Sequence, residues 1–300
     1  MYSEASVPDQ SGKTVFVTGA NTGIGFEAAR VFAQKGARVL LGCRDEAKAE
    51  AALTSIRQHA PDADVHWVAL DLASLDSVKE AADQVLAEER LDLLVNNAGV
   101  MMPPKTLTAD GFELQFGVNH LGHFALTGHL LPKLLTQDGA RVVNVSSLAH
   151  RNGRIHYSDI NAERGYSRMD RYAMSKFANI LFTYELQRKL QSAGASTLSV
   201  ACHPGGSNTE LGRHFPGFLQ IVFLPLQFVM NSAAEGALPT LMAATDENVQ
   251  SGDYYGPAGM GEFARSARKV NTIPQAKSES DAAKLWALSE EMTGVVYSLG

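Results

Sequence analysis

The run Thr14-Val15-Phe16-Val17-Thr18-Gly19-Ala20-Asn21-Thr22-Gly23-Ile24-Gly25 sets the architecture of everything that follows it. Its first half is β-branched and aromatic, which predicts a buried strand over Val15–Thr18. From Gly25 onward, Phe26, Ala29, Phe32 and Ala33 recur at three- and four-residue spacing and predict an amphipathic helix opening at Gly25. Between the two stand Gly19, Gly23 and Gly25, with Asn21, Thr22 and Ile24 in the gaps. Glycines at such a turn permit positive φ and let backbone N–H groups approach a pyrophosphate, whose charge the helix N-terminus favours. Three glycines in a chain holding 26 also fit an ordinary tight turn. Their place between a hydrophobic strand and an amphipathic helix favours the nucleotide reading.

Outward from this unit, short aliphatic runs alternate with segments of helical period. Strands are predicted at Val15–Thr18, Arg38–Leu41, Val65–Ala69, Leu91–Val95, Arg141–Val145, Thr197–Ala201 and Tyr254–Tyr255. Helices are predicted at Glu46–His59, Ser77–Glu88, Gly111–Leu135 (broken near Asn119), Arg171–Ala193, Ala233–Ala244 and Asp281–Met292. This alternation specifies an α/β fold, a doubly wound parallel seven-stranded sheet with helices on both faces. No repeat and no Gly-, Pro- or Ser-rich linker divides the chain. Residues 13–300 therefore read as one domain behind a polar lead, 1–12, expected to be flexible. Two connections are longer than such a sheet needs, Leu148–Asp170 and Pro204–Asn231. Connections beyond the carboxyl ends of parallel strands build ligand crevices, so the substrate is placed there, with 204–231 as a substrate loop and 258–300 as a C-terminal extension.

With 300 residues, 45% of them apolar, the chain can bury a sizeable core, which excludes disordered and fibrous classes. A net charge of −6 with no block of one sign gives no footprint for nucleic acid. Cys43 and Cys202 make neither a disulfide framework nor a four-ligand zinc site, and both read as reduced thiols of a cytoplasmic protein. The polar start, MYSEASVPDQSGK, has neither the basic opening nor the apolar run of a secretory signal. The longest uncharged apolar stretch, Phe215–Met230, has 16 residues and contains Pro216, Gly217 and Pro225. It is too short and too interrupted to span a bilayer, although it leaves contact with a membrane surface open.

After the second strand, where an NAD site would carry an acidic side chain for the ribose 2′-hydroxyl, this chain reads Leu41-Gly42-Cys43-Arg44. The Arg44 guanidinium suits a 2′-phosphate instead, which favours NADP(H) over NAD(H); the alternative is a solvent-exposed Arg neutralised by Asp45. Tyr172 and Lys176 are four residues apart on one helix face. An ammonium beside a phenol favours the phenolate, so the pair can act as acid for carbonyl reduction and base for alcohol oxidation. An amphipathic helix with a half-exposed Tyr and a solvated Lys has the same spacing. Ser146 and Ser147 follow the fifth strand and cannot both face the crevice.

Thr18-Gly19-x-x-x-Gly23-x-Gly25, Asn96-Asn97-Ala98-Gly99, Asn119, Ser146-Ser147, Tyr172-Ala173-Met174-Ser175-Lys176 and Pro204-Gly205 occur in that order, each at its expected strand end. In this the chain resembles the short-chain dehydrogenase/reductase family from about Lys13 to at least Thr245, which implies a Rossmann-type fold. The resemblance implies that Ser147 binds the substrate oxygen, that Tyr172 exchanges the proton, that Lys176 also holds the nicotinamide ribose, and that Asn119 fixes a water beside Lys176. It places Asp71 and Leu72 at the adenine edge, and Asn97, Ala98 and Gly99 along the adenosine. Pro204 and Gly205 come near the nicotinamide, with Thr209 reaching its carboxamide or the phosphates. His203 reads as a packed residue. Tyr172 follows Ser147 by 25 positions, a longer connection than in compact members and similar to that of the retinol-dehydrogenase-like branch. Gly252-Asp253-Tyr254-Tyr255-Gly256-Pro257 and the tail with Trp286 extend that similarity.

The expected partner is a small carbonyl or alcohol, and the four Phe of the uncharged run 215–230 point to an apolar one. That run sits where the family carries a substrate lid; a core helix or a subunit contact of a homo-oligomer would have the same composition. An NADP(H)-binding regulatory protein with little turnover is the alternative, although a pure sensor would not need Ser147, Tyr172 and Lys176 together. Isomerases and dehydratases of the extended relatives carry a Gly-x-x-Gly-x-x-Gly turn and a larger C-terminal domain, which this chain lacks.

Overall fold

The computed structural model describes residues 1–206 and 231–299. Eight strands form one sheet: β1 (Thr14–Thr18), β2 (Arg38–Cys43), β3 (Val65–Ala69), β4 (Leu93–Asn96), β5 (Arg141–Val145), β6 (Leu198–Cys202), β7 (Tyr254–Pro257) and β8 (Ala267–Val270). Their order is β3-β2-β1-β4-β5-β6-β7-β8, parallel throughout except for β8, which runs antiparallel to β7. The sequence predicts seven strands. The eighth escapes because Ala267-Arg268-Lys269-Val270 buries only Ala267 and exposes its two charged residues, leaving no strand periodicity to read.

Alternation along the strands sends successive side chains to opposite faces, and both faces are covered. Val15, Val17, Val39 and Leu41 meet Phe32 of α1 (Gly23–Gln34), Ile56 of α2 (Glu46–His59) and Leu241 of α6 (Ala233–Thr245). Phe16, Leu40 and Leu94 meet Val85 of α3 (Leu75–Leu86), Leu130 of α4 (Gly122–Leu134) and Leu186 of α5 (Arg168–Ser192). A last helix, α7 (Glu279–Thr293), lays Trp286 against Phe182 of α5, with ring centroids 5.8 Å apart. The strand order reverses between β1 and β4, and the loops at the carboxyl edge around that point form the crevice in which doubly wound sheets bind ligands.

Helix α1 begins at Gly23, two residues earlier than expected, because extended Thr22 serves as its N-cap and its carbonyl accepts from Phe26 N–H. The predicted break near Asn119 is a π turn, Gly117–Leu121, between a single α turn (Leu114–Phe116) and α4. The lead 1–12, expected to be flexible, makes specific contacts with the rest of the domain. Val7 and Gln10 are buried, Tyr2 Oη meets Thr245 Oγ1 at 3.0 Å, and Glu4 pairs with Arg30 at 2.6 Å. These partners are distant in sequence, so local polarity could not reveal them. No helix among the described residues is long and apolar enough to cross a membrane. Thr209 and the run Phe215–Met230 lie outside the described residues.

Candidate active site

At the end of β1, Gly19 and Gly23 adopt φ of +66° and +60°, and Gly19 N–H donates to Gly42 O at 2.7 Å. The turn is pressed against the loop after β4. A Cβ on Gly19 would lie 2.9 Å from Ala98 Cα, and one on Gly25 would lie 2.4 Å from Asn97 Nδ2. Thr18 ties the two together: its hydroxyl accepts Asn97 N–H at 2.9 Å and Ala98 N–H at 3.0 Å, while its carbonyl accepts Asn97 Nδ2 at 2.8 Å. The first turn of α1 carries no acidic residue, so its N–H groups face the crevice without a competing negative charge.

Arg44 follows β2 with its side chain 75% exposed, and Asp71 comes within 3.7 Å of it, beyond hydrogen-bond reach. Asp71 Oδ1 instead accepts Ala73 N–H at 3.0 Å. Ser74 is the N-cap of α3. Leu72 is buried against Gly122 at the start of α4.

On the other side of the switch point, Ser146 turns inward and its hydroxyl donates to Lys176 O at 2.8 Å. That leaves Ser147 facing outward as the N-cap of the short turn Leu148–Asn152, its hydroxyl accepting Ala149 N–H at 3.2 Å and near enough to the Tyr172 phenol to lower its pKa. Tyr172 and Lys176 lie on α5, only 6% and 4% exposed, with Lys176 Nζ 5.9 Å from the Tyr172 ring centroid. Burial pushes the phenol above its ordinary range, against the Ser147 hydrogen bond that lowers it. The expected depression of the phenol by Lys176 is therefore not the dominant influence; desolvation is. The same desolvation brings the Lys176 ammonium down to about 8. Among the described residues the acceptor for this ammonium is Val145 O, at 3.0 Å, which leaves two of its three N–H donors for a ligand.

Asn119 stands in the π turn with its side chain fully used. Oδ1 accepts Val100 N–H at 2.7 Å, and Nδ2 donates to Val100 O at 3.0 Å and to Ser175 Oγ at 2.9 Å. Gly99 lies between it and the lysine, since a Cβ there would be 3.1 Å from Asn119 Oδ1 and 3.5 Å from Lys176 Nζ. Only the Asn119 carbonyl is left to serve a water. One residue that the sequence reading missed also addresses it. His123 Nδ1 donates to Asn119 O at 3.1 Å, and its Nε2 meets Thr18 Oγ1 at 2.9 Å. His123 is fully buried, and that burial lowers its pKa to about 4, which keeps it neutral. Its offset of four from Asn119 was the available signal.

Pro204 and Gly205 follow His203 beyond β6, and Gly205 has a φ of +73°. His203 is buried as expected, and its Nε2 lies 3.1 Å from Glu262, a residue of the C-terminal extension that the sequence did not single out. Cys43 and Cys202 are both buried free thiols, and among the described residues no three His, Cys, Asp or Glu side chains gather as a metal site would require.

The family model for short chain dehydrogenases matches residues 13–216. Human retinol dehydrogenase 12 is 43% identical over 287 residues, covering 95% of this chain and 87% of that protein. Human retinol dehydrogenase 13 is 43% identical over 302 residues, covering 98% and 87%. Among solved structures, an uncharacterized protein from Mycobacterium Paratuberculosis superposes with a TM-score of 0.83 at 40% identity over 99% of both chains. Motif order, sheet topology and these likenesses agree: the chain belongs to the short-chain dehydrogenase/reductase family, in its retinol-dehydrogenase-like branch.

Proposed function

We propose that this protein is an NADP(H)-dependent oxidoreductase that transfers a hydride between the nicotinamide and the carbonyl or alcohol carbon of a lipophilic small molecule. One observation carries the reading. The Ser147 hydroxyl, the Tyr172 phenol and the Lys176 ammonium converge at one edge of the sheet, with the phenol and the ammonium nearly sealed from water.

When bound, the nicotinamide supplies the hydride for reduction and receives it in oxidation. The protein handles the proton. Ser147 donates a hydrogen bond to the substrate oxygen, and Tyr172 delivers its phenolic proton as negative charge grows there. Burial keeps that proton on Tyr172 at neutral pH, which is the form reduction needs. Lys176 then stabilises the phenolate left behind and offers its remaining N–H donors to the ribose. A water on the Asn119 carbonyl would return the proton, with His123 holding that carbonyl in place.

For the rest of the cofactor, the turn Gly19–Gly25 with Asn21, Thr22 and Ile24 suits the pyrophosphate. Asp71, Leu72, Asn97, Ala98 and Gly99 suit the adenosine, and Pro204, Gly205 and Thr209 the nicotinamide end. Exposed Arg44, without an acidic residue in its place, supports a 2′-phosphate and hence NADP(H). The uncharged run 215–230 and the retinol named in the relatives' descriptions support an apolar substrate.

A panel of short and long aldehydes, ketones and alcohols, followed by NADPH absorbance, tests the proposal. Turnover is expected, fastest with the apolar aldehydes. Tight cofactor binding with no turnover across the panel would favour a regulatory cofactor-binding protein.

A further inference from the structure

Two turns at the carboxyl edge, Ser147–Arg151 after β5 and His203–Gly206 after β6, are bridged by a segment that belongs to neither strand. It is the stretch 259–265 between β7 and β8. Glu262 in this stretch places Oε2 2.6 Å from Arg151 Nη2 and 3.1 Å from His203 Nε2. The histidine's protonation follows from geometry. Gly205 N–H donates to its Nδ1 at 3.2 Å, so Nδ1 accepts and Nε2 carries the proton that it gives to the carboxylate. His203 is completely buried and Glu262 largely so, with a side chain 17% exposed.

The backbone around this contact is both close and strained. Glu262 has a φ of +59°, a left-handed conformation that a residue with a Cβ rarely adopts. The neighbouring Phe263 O accepts Gly206 N–H at 2.8 Å, and a Cβ on Gly205 would lie only 2.4 Å from that same oxygen. Glycines at 205 and 206 are thus what allow the stretch to lie on the turn. Arg265 N–H also donates to Asn231 Oδ1 at 2.7 Å, and Asn231 N–H to Gly206 O at 2.9 Å. Strain of this kind persists where the surroundings over-determine it, and it concentrates at functional sites.

We infer that Glu262 is a positioning residue: its carboxylate locks the Pro204–Gly206 turn against the Ser147 turn and so sets the spacing between the two walls that flank the reacting atoms. This rests on the oxidoreductase reading above. Glu262 acts through its contacts with His203 and Arg151. Loosening the lock leaves the adenosine side, which is built on β1–β4, unchanged. The consequence is a defect in turnover and not in cofactor affinity.

The test compares Glu262→Gly, Glu262→Ala and Glu262→Gln with the wild type in the full-length protein. Three readouts are used: NADPH affinity by fluorescence, kcat with the aldehyde that the wild type reduces fastest, and the thermal midpoint. Glu262→Gly removes the carboxylate but suits the left-handed backbone, so its midpoint should equal or exceed that of Glu262→Ala. Its kcat should fall by about 10- to 100-fold, the scale of a small misplacement at a reacting centre, with NADPH affinity within about threefold of wild type. Glu262→Gln still accepts the His203 proton and should retain most of the rate. Unchanged kcat in Glu262→Gly would overturn the inference, as would kcat and NADPH affinity falling together in step with the thermal midpoint. A wild type that binds NADPH and NADH but reduces no aldehyde, or binds neither, would instead overturn the oxidoreductase reading and this inference with it.

Discussion

On the β1–β4 side of the crevice, the wall at the glycine turn is built of backbone amides and short neutral side chains, organised by Thr18 and by glycines at positive φ. On the β5–β8 side the wall is built of ionisable side chains: buried Tyr172, Lys176 and His203, the last paired with half-buried Glu262, which in turn pairs with exposed Arg151. In the proposed function the first arrangement binds anions by geometry and needs no protonation state. In the proposed function the second moves protons, with burial taking its charged groups out of water, which raises the phenol and lowers the ammonium. One side should therefore govern affinity and the other rate, and substitutions on the two sides should fail in different ways.

The largest expected effect is on the proton side. Tyr172→Phe should lower turnover by roughly 10²- to 10⁴-fold, the usual worth of general acid catalysis, while NADPH binding stays almost unchanged. Stopped-flow turnover beside a binding titration measures both, and a parallel loss of binding would dissolve the distinction between the sides.

Next in size is Arg44→Ala on the cofactor side. It should weaken NADPH by about 1.5–3 kcal/mol, as for a hydrogen bond to a charged group, and leave NADH and saturated turnover alone. Titrating both cofactors decides this, since equal losses would make Arg44 structural.

The smallest effect is a pH dependence. Lys176 is a cation below its value of about 8 and neutral above it, so activity that depends on the ammonium declines as pH rises through that point. The kcat/KM for cofactor, which reports groups of the free protein, should bend downward near pH 8 and lose up to about tenfold per pH unit beyond it. Lys176→Arg, charged throughout, should show no such bend whatever its absolute rate. A bend that survives the substitution belongs to another group.

How much of this was legible in the sequence follows the same division. Strands β3 and β5 and helix α2 were readable to the residue, because hydrophobic alternation and helical spacing are local signals. The glycine turn and the Tyr172–Lys176 offset were readable for the same reason. Strand β8 was not, since an edge strand with Arg268 and Lys269 exposed carries no alternation. His123 and Glu262 escaped because their meaning lies in partners far along the chain: Thr18, 105 positions away, and His203, 59 positions away. For Asn119 the sequence did not tell side chain from backbone: the fold commits every polar atom of the amide, so the proposed water is left to its carbonyl. Burial also reversed the expected shift of Tyr172, and spacing alone does not report desolvation.

Hydride transfer coupled to Tyr172 is tested most directly by isotope tracing. NADPH carrying deuterium at the transferable position of the nicotinamide is mixed with an apolar aldehyde, and the alcohol product is analysed by mass spectrometry for wild type and Tyr172→Phe. The account predicts one deuterium on the former carbonyl carbon with the wild type, and almost no labelled alcohol with the variant although it binds the cofactor. Unlabelled alcohol from the wild type, or labelled alcohol formed equally fast by Tyr172→Phe, would contradict it.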